Sequence, residues 1–159
     1  MKKKADATSA KVARSIQNRR ARYDYEFLDT YEAGIMLAGC EVKSIFLGNA
    51  HLTDAYCQIR DGELWLVNMD IEPYVHASHF QPDRRRDRKL LLHRKQIDLI
   101  QRKSQEKGLA IIPSKAYFNH GKVKVEIALA RGKKEYDKRK QIAKDDTRRD
   151  IARARAGEY

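Results

Sequence analysis

Apolar and polar positions alternate most regularly between Lys122 and Leu129, where Val123, Val125, Ile127 and Leu129 interleave with Lys124, Glu126 and Ala128. An extended chain puts every second side chain on one face, so this stretch predicts a strand with one face in a core and the other in water. Leu109–Ile112 is an apolar strand stopped by Pro113; Lys115–Phe118 resumes it, and Asn119-His120-Gly121 makes a turn. Tyr56–Arg60 and Glu63–Val67 flank Asp61-Gly62, a dipeptide suited to a two-residue hairpin turn. Tyr23, Tyr25 and Phe27 alternate with Asp24 and Glu26 and predict a first strand, while Tyr31–Leu37 fits either a strand or a short helix. Gly39–Gly48, with Val42, Ile45 and Leu47 on an imperfect period-two face, reads as a half-buried strand and one wall of the core. Helical spacing is clearest in His93–Lys107, where Ile97 and Ile100 lie three apart and Gly108 supplies a stop.

These elements predict a mainly β fold: a small antiparallel barrel of the oligonucleotide-binding kind, with a few helices and a basic C-terminal tail. A chain of 159 residues suffices for one domain with a real core. The expected organisation is a basic flexible arm over residues 1–17, a β-barrel domain over 18–131 and a tail over 132–159. Within the tail, Ile142 and Ile151 are the only large aliphatics, too few to hold a fold by burial. The tail is therefore expected to be disordered alone and to become helical once a polyanion neutralises Lys133, Lys134, Lys138, Arg139, Lys140, Lys144, Arg148 and Arg149.

Charge narrows the partner. Lys and Arg total 34 against 22 acids, a net +12 that attracts polyanions, most commonly nucleic acid. Asn18–Arg22 is one candidate phosphate contact, Arg19 included. Phe80–Lys89 is another: Arg84, Arg85, Arg86, Arg88 and Lys89 read as an exposed phosphate-gripping loop in which only Phe80 can enter a core. Tyr23, Tyr25 and Tyr31 are available to stack on bases, although a barrel interior needs aromatics too.

Catalytic and metal chemistry find little support. Cys40 and Cys57 lack metal spacing, and His76 with His79 would need ligands from elsewhere. Glu32 with Glu41, and Asp145 with Asp146, come with no apolar pocket, and no phosphate-cradling glycine loop is present. The expectation is a protein with no catalytic residue, no metal and no cofactor. No apolar run is long enough to span a bilayer, and the start is not a signal peptide, so no membrane partner and a cytoplasmic location are expected.

Spaced motifs sharpen this reading. Asn18-Arg19, Tyr31-Glu32-Ala33-Gly34, Gly39 with Glu41-Val42-Lys43-Ser44, Asp61-Gly62-Glu63, Arg88-Lys89-Leu90-Leu91-Leu92, Gly132-Lys133-Lys134 and Asp137-Lys138-Arg139 follow one another over most of the chain. In this order the chain resembles the bacterial SsrA-binding protein family, partners of transfer-messenger RNA in the rescue of stalled ribosomes. The resemblance implies a barrel that grips the tRNA-like domain of that RNA through Asn18, Glu32, Glu41, Val42, Lys43, Ser44 and Leu91 beside the basic loop. It also implies a tail, at Gly132, Lys133, Lys134, Tyr136, Asp137, Lys138, Arg139 and the basic helix beyond, that enters the decoding centre and the empty messenger channel. The implied partners are transfer-messenger RNA, the 30S subunit with its 16S rRNA, and alanyl-charged transfer-messenger RNA carried with elongation factor Tu. Glu32 and Glu41 are unusual on a phosphate-binding surface; a carboxylate there accepts hydrogen bonds from base amino groups or orients a neighbouring arginine. Tyr136 departs from the histidine common in the family and carries no proton-dependent charge near neutral pH. A ribosomal protein of the same barrel class, a metal-dependent nuclease and a nonspecific basic protein are the competing readings.

Overall fold

The regular alternation of Lys122–Leu129 becomes the middle of the architecture. The computed structural model describes residues 15–77 and 80–157. Thirteen elements follow in order: β1 (Ile16–Gln17), α1 (Arg19–Asp24), β2 (Tyr25–Ile35), α2 (Gly39–Phe46), β3 (Ala50–His51), β4 (Tyr56–Arg60), β5 (Glu63–Val67), β6 (Asp70–Ile71), β7 (Arg88–Leu91), α3 (Arg94–Lys107), β8 (Ala110–Asn119), β9 (Lys122–Gly132) and α4 (Glu135–Ala156). Seven strands form one sheet in the order β1-β8-β9-β2-β7-β5-β4, every pair antiparallel, while β3 and β6 pair separately. The sheet curls until β4 lies beside β8 without ladder hydrogen bonds, and residues of both strands line a groove there. Val125, Ile127 and Leu129 of β9 are fully buried with Leu64, Leu66, Leu90 and Ala116.

Turn chemistry fixes the register. Asp61 and Gly62 have φ of 49° and 73°, and His120 and Gly121 have 48° and 75°; both tight turns need the left-handed region at both central residues. At Gly62 an added Cβ would also lie 2.5 Å from the Arg94 guanidinium. Pro113 does not stop its strand. β8 runs through it with a bulge between Pro113 and Lys115, and the Pro113 carbonyl instead accepts from the Asn18 side chain at 3.0 Å.

Several expectations give way to tertiary context. Gly39–Phe46 is a helix, not a strand: Glu41, Ser44 and Ile45 recur at helical spacing and are buried, and the Glu41 carboxylate accepts from the Ala38 N–H at 2.9 Å. Tyr23 and Asp24 close α1, so the first long strand begins at Tyr25 and continues through Tyr31 to Ile35. The basic loop is inverted relative to its reading, since Phe80 is 71% exposed and Arg88 is completely buried. Ile16 and Gln17, expected in the arm, pair with Ala116 and Lys115, and Ile16 enters the core. The arm's residues 1–14, and His79, lie outside the described residues. In the expected tail, α4 is a continuous 22-residue helix with no buried residue. Its local chemistry accounts for the helix: Glu135 and Asp137 occupy the first turn and Arg153 and Arg155 the last, complementing the helix dipole.

The two regions should therefore respond differently to truncation of an isoleucine. Ile127→Ala removes a fully buried side chain and is expected to lower the stability of the barrel by about 2–5 kcal/mol, whereas Ile151→Ala on α4 changes it by less than about 0.5 kcal/mol. Urea unfolding followed by Trp65 fluorescence measures both; equal losses would contradict the separation of α4 from the core.

Candidate nucleic-acid interface

Three groups of side chains organise the polar surface. The first is built on Glu41. Its Oε1 accepts from Arg88 Nη2 at 2.7 Å and Nε at 3.0 Å, and its Oε2 accepts from Arg86 Nη2 at 2.6 Å. Arg88 spends its remaining donors on the carbonyls of Met69, Arg84 and Arg86, at 2.8 to 3.0 Å. Burial tends to raise the Glu41 pKa, but the hydrogen bonds from Arg86, the Ala38 N–H and Arg88 outweigh it and hold the carboxyl below its usual range. Burial lowers the Arg88 pKa against the pull of Glu41.

The arginine-rich stretch is thus largely paired within the protein. Arg84 forks onto Asp70 at 2.9 and 3.1 Å, Arg85 lies 3.8 Å from the same carboxylate, and Lys89 pairs with Glu63. Arg84 and Arg85 remain exposed and Arg86 partly so; the sequence reading of a uniformly exposed loop is corrected by the burial of Arg88 and the two-arginine grip on Glu41. Of the neighbouring positions on α2, Ser44 is buried and donates to the Glu72 carbonyl at 2.7 Å, while Lys43 is exposed with its ammonium 5.3 Å from the Tyr74 ring centre.

The second group is the outer face of the sheet. Register places Tyr117, Lys124, Gly34 and Leu91 in one row across β8, β9, β2 and β7, with Lys115, Glu126 and Glu32 in the next. Leu91 is 49% exposed, and Gly34 beside it leaves the surface flat, because a Cβ there would lie 3.3 Å from the Leu91 Cβ. Val42, Leu37, Leu91, Lys122 and Lys124 border a groove of about 400 Å³, so Val42 and Leu91, distant in sequence, come together. Glu32 is exposed and accepts from the Tyr117 hydroxyl. That hydrogen bond, with burial and the charges of Glu32 and Glu126, leaves the Tyr117 pKa pushed up to about 12, so the hydroxyl stays a donor at neutral pH. Lys122, Lys124 and Tyr117 lie on this face outside the residues the motifs mark; the alternation of β9 puts both lysines on its outer face, but nothing local distinguishes them from any wet lysine.

The third group joins the tail to the barrel. Asn18 is buried and caps α1: its Oδ1 accepts from the Ala21 N–H at 3.1 Å and its Nδ2 donates to Pro113. It borders a second groove, of about 650 Å³, with Arg20, Tyr25, Tyr56 and Gln101. Arg19 is exposed alongside. Gly132 ends β9 opposite Tyr25, the Lys133 N–H donates to the Asp24 carbonyl at 2.9 Å, and Lys133 Nζ donates to the Arg22 carbonyl at 3.0 Å. Lys138 reaches Asp24 at 3.1 Å. Beyond these contacts Lys134, Tyr136, Asp137, Arg139, Lys140, Lys144, Arg148 and Arg149 are all exposed, with Lys140 Nζ 4.4 Å from the Tyr136 ring centre. Asp24, which no motif suggested, is the fixed point of the tail.

An antiparallel barrel with a flat outer face, from which a cationic helix projects, defines a protein of the nucleic-acid-binding barrel class; among the described residues no His, Cys, Asp and Glu cluster could hold a metal. The chain belongs to the SmpB protein family, whose model matches residues 15–157. It is 52% identical over 141 residues to the SsrA-binding protein of Desulforudis audaxviator, covering 89% of this chain and 92% of that protein. It is 49% identical over 153 residues to the SsrA-binding protein of Mycolicibacterium smegmatis, covering 96% and 94%. A solved structure described as "tmRNA-SmpB: a journey to the center of the bacterial ribosome" superposes with a TM-score of 0.65 at 49% identity, covering 76% of this chain and 85% of that one.

The Glu41 network makes stability pH-dependent with a defined sign. Because its folded pKa is depressed, Glu41 stabilises the fold fully above the unfolded carboxylate value of about 4.3, and that contribution is lost as pH falls through the folded value. Glu41→Gln should cost about 3–5 kcal/mol at pH 7, by leaving Arg88 buried and unpaired, and the deficit should shrink towards pH 3. Urea unfolding at the two pH values tests this; a constant deficit would show that Glu41 acts by shape instead of charge.

Proposed function

We propose that this chain is a non-catalytic RNA-binding protein that binds the tRNA-like domain of transfer-messenger RNA and takes it to stalled ribosomes. The relatives' name, SsrA-binding protein, supports the RNA partner, and the likeness to a tmRNA–SmpB structure concerned with the ribosome supports the setting. The single observation that carries the division of labour is α4: a 22-residue helix, about 33 Å long, with no buried residue and exposed cations along its length. Such a helix has no structural reason to stay extended from the barrel in isolation, and an anionic channel supplies one.

In this reading the outer sheet face takes the folded RNA. Glu32, Val42, Lys43 and Leu91 are accessible there, joined by Lys124; Asn18, Glu41, Ser44 and Arg88 shape the barrel from within. Arg19, Arg84, Arg85, Arg86 and Lys89 add electrostatic attraction at the rim, and it weakens as salt rises. The tail, from Gly132 through Arg149, occupies the decoding centre and the empty messenger channel of the 30S subunit, against 16S rRNA. A full-length message fills that path and excludes α4, which makes delivery selective for ribosomes without one. The RNA arrives alanyl-charged with elongation factor Tu, and the site of action is the cytoplasm. Functionally the barrel spans residues 16–131 and the tail 132–159, with residues 1–15 as a basic extension.

Ending the chain after Lys134 removes α4 and leaves the β9 ladder whole. The shortened protein should bind the tRNA-like RNA within about threefold of the full chain, a change below 1 kcal/mol, while peptide tagging on ribosomes stalled on truncated message falls at least about tenfold. Equal tagging by both proteins would refute the role of the tail, and loss of RNA affinity would place recognition in α4.

A further inference from the structure

Glu32 poses a chemical problem on an RNA-facing surface. It stands directly opposite Glu126 across β2 and β9, so two carboxylates share one row. Glu126 is compensated by the Ser114 hydroxyl at 2.6 Å and Lys115 at 3.2 Å. Glu32 has neither, and the Tyr117 hydroxyl donating to its Oε2 is its one hydrogen-bond partner among the described residues. Tyr117 is fixed in turn by its place opposite Lys124 and by Lys115, whose ammonium lies 5.3 Å from the ring centre. Glu32 is exposed, one row from Lys124, Gly34 and Leu91, and its Oε1 has no hydrogen-bond partner among the described residues.

We propose that Tyr117 is a positioning residue for RNA recognition, holding Glu32 so that its carboxylate accepts the N1–H and N2–H donors of an unpaired guanine. A carboxylate is an acceptor only, so it rejects phosphate and favours base edges that carry donors; guanine offers two side by side on its Watson–Crick edge. Fixing one oxygen beforehand removes rotamer freedom that would otherwise be lost on binding. Lys124, in the neighbouring row, neutralises the phosphate of the same nucleotide, and Leu91 with Gly34 gives the base a flat apolar neighbour. The inference rests on the proposed binding of a folded RNA by this face and adds the base it reads and the residue that prepares the reader.

The test uses the full chain, the tRNA-like RNA, and the same RNA with inosine in place of its unpaired guanosines, which deletes the N2 amino group. Tyr117→Phe keeps the ring and removes the donor, and it should weaken binding about tenfold with its melting temperature unchanged. Glu32→Gln should weaken binding at least as much, and the double variant should bind no more weakly than Glu32→Gln alone, because the two residues act as one unit. Inosine should weaken the unmodified protein and leave Glu32→Gln unaffected, a readout that stands even if Tyr117→Phe fails to fold. Unchanged affinity in a folded Tyr117→Phe variant, additive losses in the double variant, or indifference of the unmodified protein to inosine would overturn the inference. If the unmodified protein does not prefer this RNA over other folded RNAs of its size, the proposed function fails instead.

Discussion

A buried carboxylate gripped by two guanidinium groups is the interaction on which this structure depends. Glu41 sits on the first turn of α2, while Arg86 and Arg88 come from the start of β7 and the loop before it. One set of hydrogen bonds therefore ties a helix to a strand more than forty residues away, and Arg88 also pins the carbonyls of Met69, Arg84 and Arg86. Removing such charges from water is costly, and only a nearly complete set of partners offsets it. No buried side-chain polar atom among the described residues lacks a partner. The network thereby fixes α2, β7 and the loop before β7, which carry Val42, Leu91 and the exposed Arg84 and Arg85.

From that anchor the molecule presents two surfaces of different physical character. The outer sheet face is rigid, because its residues belong to long ladders whose opposite face is the core. It combines flat apolar contact, lysines and an oriented carboxylate, the means by which shape and base edges are distinguished. The tail is joined to the barrel through backbone and lysine contacts to Arg22 and Asp24, Lys133 also donates to the Gln141 side chain, and no residue of α4 is buried. Recognition needs preorganisation, whereas threading a charged segment into a channel, the role proposed for the tail, needs freedom from the core. The proposed function separates the two demands along the chain at Gly132.

The sequence by itself determined the strands whose pattern is local. The β4–β5 hairpin around Asp61-Gly62, the long alternation of β9 and the helix Arg94–Lys107 stopped by Gly108 all follow from period and turn chemistry, which tertiary contacts reinforced. It also determined that the chain is strongly basic and that its last residues lack a core, and its spaced motifs were enough to mark the family. What only the tertiary structure decided are the positions whose environment is made by distant partners. Gly39–Phe46 is a helix whose local cap, Glu41 on the Ala38 N–H, is reinforced by the burial of Glu41, Ser44 and Ile45, and Arg88 is in the core because Glu41 waits for it, a fact with no local signature. Asn18 carries a family motif yet serves as an internal cap, and Glu32 is oriented by a tyrosine 85 positions away. Periodicity reports how one segment meets water, whereas the pairing of buried charges depends on which segments meet each other.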